Sequence, residues 1–282
     1  MAPHLSHTPS PAAAPQDPTY LRGLAALRQL EGTERPTLLD GLADLAPDLA
    51  TLAIRFVYGE IYPRPGLDLR SRQLVTVAAL AALGHARPQL KFHIAGALNA
   101  GCSSNEIVET LQHLVIYAGF PVGLNGVFAA REVFQERGCN HEPLACGAAQ
   151  GDDSRARFQA GLQALQEIDG HAGEQVIAAL DGLAPDLARF IIEFAFGDIY
   201  TRPGLSLVQR ELVTLAALAA LGTAVPQFKV HVHGLLNVGG TRQMLVESLI
   251  HLAAYAGFPA ALNALQAARE VLDERAAKGQ SC

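Results

Sequence analysis

Three residue types that can move protons stand at helical spacing in the middle of this sequence. Glu109, His113 and Tyr117 are each four positions apart, so in a helix their side chains lie on one face. A carboxylate one turn from an imidazole raises the basicity of the imidazole and can fix its tautomer, which suits a general acid or base. The same three residues could equally form a buried polar network that locks helices together.

The same stripe of residues occurs a second time, at Glu247, His251 and Tyr255. Other segments recur at the same offset of 138 positions (247 minus 109), since GEIYPRPGL at 59–67 returns as GDIYTRPGL at 197–205. A constant offset without slippage indicates two copies of one domain rather than a solenoid of short repeats. Each candidate residue therefore has a counterpart with which it can be compared.

A second pair of repeated segments, PQLKFHIAGALNAG at 88–101 and PQFKVHVHGLLNVG at 226–239, carries a lysine and a histidine two positions apart. Gln89 and His93 share a helix face, whereas Lys91 lies about 200° around the helix from His93. The lysine is therefore either a surface residue or one wall of a pocket that several helices build. The matching residues of the second copy are Gln227, Lys229 and His231.

Arginines also recur, in the Y-x-RPGL turn and in the apolar helix that follows it. An arginine in that turn could hold a substrate carboxylate, or it could cap the end of the preceding helix. Surface positions near these residues differ between the copies, so the repetition of the polar ones is informative. The repeated arginines are Arg64/Arg202 and Arg72/Arg210.

Composition limits the class of protein. Half of the 282 residues are hydrophobic and 17% are charged, which excludes wholesale disorder. A net charge of -6 argues against nucleic acid or an anionic membrane as the main partner. The purest apolar run is about half the length that a bilayer requires. Residues 1–18 have the composition of a disordered arm rather than of a secretory signal, so we expect a cytoplasmic protein.

The elements that must position these residues are helices. Alanine and leucine dominate and β-branched alternation is nowhere sustained, so we predict an all-α chain of two tandem helical domains. The LVT-AALAALG helix is hydrophobic all round, which predicts that each copy buries it against another copy. The predicted division is an arm at 1–18, a first domain at 19–138, a linker at 139–153 and a second domain at 154–282.

Capping residues set the expected ends of four helices in each copy. Asp68 begins the first helix and Gly84 ends it. A second helix spans about 86–100, Ser103 begins the third with a capping box, and Pro121 begins the last. The second copy has corresponding signals at Ser206, Gly222, 224–238, Thr241 and Pro259.

The four cysteines form no C-x-x-C motif, and none has a counterpart in the other copy. Cys139 and Cys146 flank His141 in the linker, but their spacing matches no standard zinc pattern, so we expect free thiols. His231 and His233 form an H-x-H motif, yet on a helix the two side chains diverge. We therefore expect no metal and no cofactor.

Four repeated motifs together resemble the carboxymuconolactone decarboxylase family: Y-x-RPGL, R-[QE]-LVT-x-AALAALG, the K-x-H helix with its LN-x-G end, and HL-x-x-YAGFP. The resemblance covers about residues 40–138 and 178–276. It implies the all-α fold shared with alkylhydroperoxidase D-like proteins. Single-domain members of this family assemble as rings of six, so the resemblance implies a homo-oligomer, a trimer that forms a pseudo-hexamer.

The alkylhydroperoxidase branch carries C-x-x-C-x-x-x-H on its second helix, and the histidine of that pattern falls on His93 and His231. The two cysteine positions fall on Ala86 and Gln89 in the first copy, and the second copy has Ala224 and Gln227. Disulfide exchange needs an attacking thiolate and a resolving thiol. The resemblance to that branch therefore does not extend to peroxidase activity.

For the decarboxylase branch the resemblance implies loss of CO2 from a carboxylated unsaturated lactone, such as 4-carboxymuconolactone, to give an enol-lactone in aromatic-compound catabolism. The site would stabilise an oxyanion and deliver a proton to carbon. The residues expected to carry the chemistry are His93, His231, His113 and His251, with Glu109 and Glu247 orienting the latter pair. Those expected to bind the substrate are Arg72, Arg210, Lys91, Lys229, Gln89 and Gln227.

Two alternatives stay open: a different small-molecule reaction, such as isomerisation or hydration, and a non-catalytic helical assembly. An enzyme should show a concave, partly apolar cavity where His93 or His113 meets an arginine or a lysine, in at least one copy. A scaffold should have these groups mutually bonded and inaccessible. Both copies need not be active, because the residues near the expected pocket differ at Ala95/His233, Gly123/Ala261 and Gly126/Ala264.

Overall fold

The computed structural model describes residues 17–144, 153–170 and 172–280, and every regular element in these ranges is a helix. The prediction of an all-α chain with two tandem domains is confirmed. The helices of the first copy are α1 (Pro18–Glu31), α2 (Thr37–Gly41), α3 (Pro47–Ala53), π1 (Ile54–Ile61), α4 (Leu69–Leu83), α5 (Arg87–Asn99), α6 (Ser104–His113), α7 (Val115–Ala118) and α8 (Phe120–Glu136). Those of the second copy are α9 (Ser154–Asp169), α10 (Ala172–Leu180), α11 (Pro185–Phe190), π2 (Ile191–Tyr200), α12 (Leu207–Leu221), α13 (Val225–Asn237), α14 (Arg242–Ala256) and α15 (Phe258–Ala277).

The predicted capping residues begin and end the helices as expected. The Asp68 carboxylate accepts a hydrogen bond from the backbone N–H of Ser71 at 2.7 Å, which begins α4. The helix ends at Gly84, whose φ of 74° is in the left-handed region that glycine tolerates. Ser103 and Glu106 form the predicted capping box of α6. Local sequence therefore determines the ends of these helices.

The third predicted helix differs between the copies. In the second copy it is the continuous α14, whereas in the first it breaks at Leu114 into α6 and α7. The first copy has Val115 and Ile116 where the second has Ala253 and Ala254. β-Branched side chains fit a helix less well than alanine, which gives a physical reason for the break.

Two π-helical segments were not predicted from the sequence. π1 runs directly into Tyr62 and π2 ends at Tyr200, so each wide turn places a tyrosine at the entrance of the following loop. Such turns are frequent at functional sites. Their wider hydrogen-bond spacing does not change the apolar period enough to be read from one sequence.

Helix α1 crosses π1 with almost no space between the backbones. A Cβ atom on Gly23 would collide with the carbonyl oxygen of Ile54 and would lie 2.8 Å from the backbone nitrogen of Gly59. The same crossing recurs between α9 and π2, at Gly161 and Gly197. Glycine is required at these positions because any side chain would separate the two helices.

The all-apolar helices α4 and α12 pack against each other at the centre of the molecule. Val75, Ala78 and Ala79 of α4, and the matching residues of α12, are completely or almost completely buried in one core cluster that both copies share. The face that the sequence predicts to be buried against another copy is thus covered within the same chain. Among the helices that the structure describes, none is long and apolar enough to cross a membrane.

Candidate functional site

An ion-pair cluster joins the two copies on each side of the α4–α12 contact. Glu109 on α6 accepts a hydrogen bond from Arg202 of the second copy, with 2.7 Å between Oε1 and Nη2. Its Oε2 lies 3.4 Å from Nη2 of Arg210, a side chain that is fully buried. A carboxylate of one copy therefore compensates two guanidinium charges of the other.

In the equivalent cluster the glutamate belongs to the second copy and the two arginines belong to the first. Glu247 on α14 accepts from Nη2 of Arg64 at 2.8 Å and lies 3.4 Å from Nη2 of the buried Arg72. Burial acts to raise the pKa of the Glu247 carboxyl, but the hydrogen bonds and charges of the two arginines outweigh it and lower the pKa. The turn arginines thus pair with a carboxylate of the other copy, a contact that neither predicted role, helix cap or substrate binder, includes.

Each cluster extends into a nine-residue centre that takes six residues from one copy and three from the other. The first centre consists of Tyr62, Arg64, Arg72, Gln73, Thr76 and His93 with Glu247, His251 and Tyr255. The second centre consists of Tyr200, Arg202, Arg210, Glu211, Thr214 and His231 with Glu109, His113 and Tyr117.

The stripe histidines are buried and neutral, which corrects one expectation. His113 Nε2 lies 2.8 Å from the Thr214 hydroxyl, and its Nδ1 lies 3.4 Å from Nη1 of Arg210. Burial, with the nearby Arg210 charge, lowers the pKa of His113 well below its usual range, and burial with Arg72 does the same for His251. The prediction that the carboxylate raises the basicity of the stripe histidine is wrong, because the arginines, and not the histidine, bind the Glu109 carboxylate.

A pair of tyrosines lies at the other end of each stripe. The hydroxyls of Tyr117 and Tyr200 are 2.7 Å apart in the second centre, and those of Tyr62 and Tyr255 are 2.7 Å apart in the first. Burial raises the pKa of Tyr62 to about 12, and it raises the pKa values of Tyr117, Tyr200 and Tyr255 well above their usual range. All four phenols therefore stay protonated and can donate hydrogen bonds.

The second-helix histidines meet different partners in the two centres. His93 Nδ1 lies 3.0 Å from the Gln73 amide oxygen, and burial lowers the pKa of His93 to about 3. His231 Nδ1 lies 2.8 Å from the Glu211 carboxylate, which also accepts a hydrogen bond from the Tyr200 hydroxyl at 2.8 Å. This Gln/Glu exchange is the only difference in residue type between the two centres.

Three residue pairs of the centres were missed by reasoning from the sequence. All of them lie within the repeated segments, and two are the same in both copies, which is the signal that could have found them. The third is the variable position of R-[QE]-LVT. The missed pairs are Tyr62/Tyr200, Thr76/Thr214 and Gln73/Glu211.

The predicted lysines and glutamines of α5 and α13 lie outside both centres. Lys91 pairs with Glu136 at 2.7 Å and Glu132 at 3.3 Å on the surface, and Lys229 pairs with Glu270. This agrees with the prediction that the lysine and the histidine point in different directions. The two glutamines of the predicted set, Gln89 and Gln227, are exposed.

A cavity of about 630 Å³ borders the second centre. Glu109 and Arg202 line it, and Val108, Val127 and Phe134 supply apolar walls. Residues of segment 138–144, which follows α8, also line it. The pocket beside Arg64 in the first centre has only about 250 Å³ and mostly apolar walls. None of the four histidines of the centres lines either of these two pockets, and His113 and His251 are fully buried.

The two cysteines that the structure describes, Cys102 and Cys139, belong to neither centre. Cys102 is buried, which raises the pKa of its thiol to about 12, and Cys139 borders the cavity. Cys146 and Cys282 lie outside the described residues, so the expectation of a free pair in the linker is not tested. Within the part of the chain that the structure describes, no three His, Cys, Asp or Glu side chains could together hold a metal ion.

Comparisons with known proteins agree with the duplication. A sequence model of the carboxymuconolactone decarboxylase family matches residues 47–132 and 185–270. A 4-carboxymuconolactone decarboxylase of Acinetobacter baylyi is 34% identical over 126 residues, which is 44% of this chain and 93% of the relative. The nitrosuccinic acid decarboxylase npaB of Metarhizium robertsii is 27% identical over 140 residues, or 49% of this chain and 96% of the relative.

A solved structure matches almost the whole chain. It is a crystal structure from Burkholderia xenovorans LB400, named as a gamma-carboxymuconolactone decarboxylase subunit. It superposes with a TM-score of 0.58 at 27% identity and covers 93% of this chain and 100% of its own. Sequence and structure comparisons therefore indicate the same family.

Proposed function

The chain belongs to the carboxymuconolactone decarboxylase family, and on that premise we propose that it removes CO2 from a carboxylated unsaturated lactone of the 4-carboxymuconolactone type, leaving an enol-lactone in aromatic-compound catabolism. Two relatives whose names are those of decarboxylases support this reaction type. The observation that carries the proposal is the second centre, where arginines, the neutral His113, the His231–Glu211 pair and protonated tyrosines of both copies meet beside a cavity.

The chemistry needs hydrogen-bond donors and a proton rather than a cofactor. When CO2 leaves, its bonding electrons delocalise through the C=C bond into the lactone carbonyl, which becomes an oxyanion. Protonated Tyr117 is suited to stabilise that charge, because burial keeps its hydroxyl proton in place, whereas the Tyr200 hydroxyl donates to Glu211. A histidine then delivers a proton to carbon as a general acid. We propose His231 for this step in the second centre, supported by Glu211.

We propose that the substrate enters through the cavity. Arg131 and Arg202 both line it and would hold the carboxylate that stays on the lactone, which fixes the orientation of the ring. The carboxylate that is lost would face the apolar wall of Val108, Val127 and Phe134, where the loss of its charge is favoured. Lys91 and Lys229 have no place in this arrangement.

A second candidate is a non-catalytic helical assembly, which one observation favours. His113 and His251 are fully buried, and each has a threonine hydroxyl at 2.8 Å. These two hydrogen bonds could serve only to fix the packing of α6 and α14. The cavity at the second centre favours the enzyme, because a purely structural network requires no adjoining space.

We also propose that three chains assemble, so that six similar domains form a ring. Large apolar side chains are exposed at matching places in the two copies, and such patches mark interaction surfaces. The mass of the particle in solution tests this, with three chains of 29.8 kDa expected. The exposed residues are Phe120, Leu124, Phe258 and Leu262 on α8 and α15, and Leu49 and Leu187 on α3 and α11.

The activity is tested by incubating the full chain with 4-carboxymuconolactone generated in place. We expect loss of the substrate absorbance, release of one CO2 and formation of the enol-lactone, identified by its mass. The double variant His93→Ala/His231→Ala, checked for folding by circular dichroism, should lose this activity. Absence of turnover by the native protein would overturn the proposed reaction and favour the assembly.

A further inference from the structure

The two centres differ at one residue, and the difference concerns whether the neighbouring histidine can hold an additional proton. Building on the proposed function, we infer that the second centre carries out the decarboxylation and the first does not, because Glu211 allows its histidine to carry a proton that Gln73 denies to the other. Glu211 acts through His231, so it is a positioning residue rather than one that touches the substrate.

In the second centre the Glu211 carboxylate lies between two donors. Oε1 accepts the Tyr200 hydroxyl at 2.8 Å, and Oε2 lies 2.8 Å from Nδ1 of His231. The carboxylate is fully buried, whereas the His231 side chain is 10% exposed. A buried negative charge at this distance compensates the charge of an imidazolium and holds its Nδ1–H, which leaves Nε2–H directed away from the carboxylate.

The proton balance of the reaction then closes at His231. The C–C bond to the departing carboxylate breaks, and its electron pair forms the dienolate. The electron pair of the reacting carbon takes the proton from Nε2 of His231, which becomes neutral and keeps Nδ1–H on Glu211. Water supplies the next proton to Nε2. The net change is loss of CO2 and uptake of one proton, without a redox partner.

The first centre cannot follow this sequence. The Gln73 amide donates from Nε2 to the Tyr62 hydroxyl at 2.8 Å, so its oxygen faces His93 Nδ1 at 3.0 Å. An amide is neutral and neither gains nor loses a proton. His93 therefore lacks a compensating charge, and its burial favours the neutral ring. The neutral His93 ring carries its proton on Nδ1, and this N–H donates a hydrogen bond to the amide oxygen.

A second difference between the centres points the same way, independently of the histidines. The Arg202 side chain is 11% exposed and lines the large cavity, whereas that of Arg64 is 44% exposed. Leu144 of the segment after α8 approaches Gly204, so this segment contributes to the wall of the cavity beside Arg202. Among the residues that the structure describes, none that follows α15 lines the pocket beside Arg64. The cavity of the second centre has about 630 Å³ against about 250 Å³ beside Arg64, so it offers more room for a small acid.

Steady-state kinetics of Glu211→Gln test the inference, with the first centre as evidence that glutamine fits at this position. We expect kcat to fall by about 100-fold or more with KM within about threefold, since the loss concerns proton delivery. His231→Ala should lower kcat far more than His93→Ala does. Activity of Glu211→Gln within about threefold of the native value would overturn the inference. Lys91→Met, outside both centres, is the control.

A readout that needs no substrate separates this inference from the proposed function. In Gln73→Glu, a carboxylate faces His93, and the His93 ring nitrogens should titrate by NMR more than about one pH unit higher than they do in the native protein, where burial lowers the pKa of His93. An unchanged titration would overturn the inference even in an active enzyme. A native protein without turnover, combined with the expected shift, would refute the proposed reaction alone.

Discussion

Glu109 of the first copy and Arg202 of the second form a two-point ion pair, in which Nε and Nη2 of the arginine donate to the carboxylate at 3.0 and 2.7 Å. The contact joins residues 93 positions apart and has an equivalent between Arg64 and Glu247. The two copies are therefore held by polar contacts at two places, in addition to the apolar contact of α4 with α12. The pair also borders the cavity, so the same atoms contribute to stability and to the proposed site.

Replacement of Glu109 by glutamine should destabilise the protein. The change leaves the fully buried guanidinium of Arg210 without a compensating charge, and loss of one partner of a buried pair costs about 3–5 kcal/mol. Urea unfolding followed by circular dichroism measures the difference. Glu270→Gln, which removes an exposed pair with Lys229, should leave the midpoint unchanged. Equal midpoints for the two variants would contradict the assigned role of Glu109.

The buried histidines should make stability depend on pH. The pKa values of His93, His113 and His251 are lowered by burial, so the native state stays neutral while the unfolded chain takes up protons below about pH 6.5. The free energy of unfolding should therefore fall as the pH drops from about 7.5 to about 5, by up to about 1.4 kcal/mol per pH unit for each histidine.

Denaturant titrations at several pH values measure this slope. A His251→Gln variant should reduce it, because the glutamine has no proton to exclude. The exposed His85, replaced in the same way, should leave the slope as it is in the native protein. A stability that is constant between about pH 7.5 and about pH 5 would show that the histidines are not kept neutral.

The crossing of α1 and π1 should not accept a methyl group. Gly23→Ala places a Cβ against the Ile54 carbonyl and the Gly59 backbone, so the helices must separate, at a cost of about 1–3 kcal/mol or more. Gly41→Ala is the matched control, since its Cβ would meet no atom within 4 Å. Thermal unfolding should show a lower midpoint for the first variant and an equal or higher one for the second.

The affinity for the substrate should depend on Arg131, which lines the cavity, more than on Arg269, its counterpart in the second copy. Arg131→Ala removes a cationic group from the cavity at the second centre, so KM for the carboxylated lactone should rise about tenfold while kcat changes little. Arg269→Ala makes the same change in the second copy, on a groove that reaches neither Arg64 nor Glu247. Equal effects of the two variants would show that the substrate does not bind where we propose.

The sequence predicted those features that depend on local chemistry. Helix ends at Asp68, Gly84 and Ser103 follow from backbone groups that need a nearby partner, and the E-x-x-x-H-x-x-x-Y stripe follows from the helical period. The sequence did not show that Glu109 meets Arg202 rather than His113. That contact depends on how two domains pack, and a charged guanidinium competes with a neutral ring for the same carboxylate.

The π segments and the Gln73/Glu211 exchange were missed for different reasons. One extra residue in a helical turn leaves the hydrophobic period almost unchanged over eight residues, so no pattern shows it. The exchange, by contrast, was visible in the aligned copies. It gained meaning only when the structure placed both side chains against a histidine.

Each centre contains side chains of both copies, and this arrangement has a genetic consequence. In a dimer of identical chains every mutation alters both centres at once, because one gene encodes both halves. Here a codon change at position 73 alters one centre and leaves the other intact, so selection can act on each separately. Deletion of either copy would disrupt both centres, because each copy contributes a glutamate, a histidine and a tyrosine to the centre of the other.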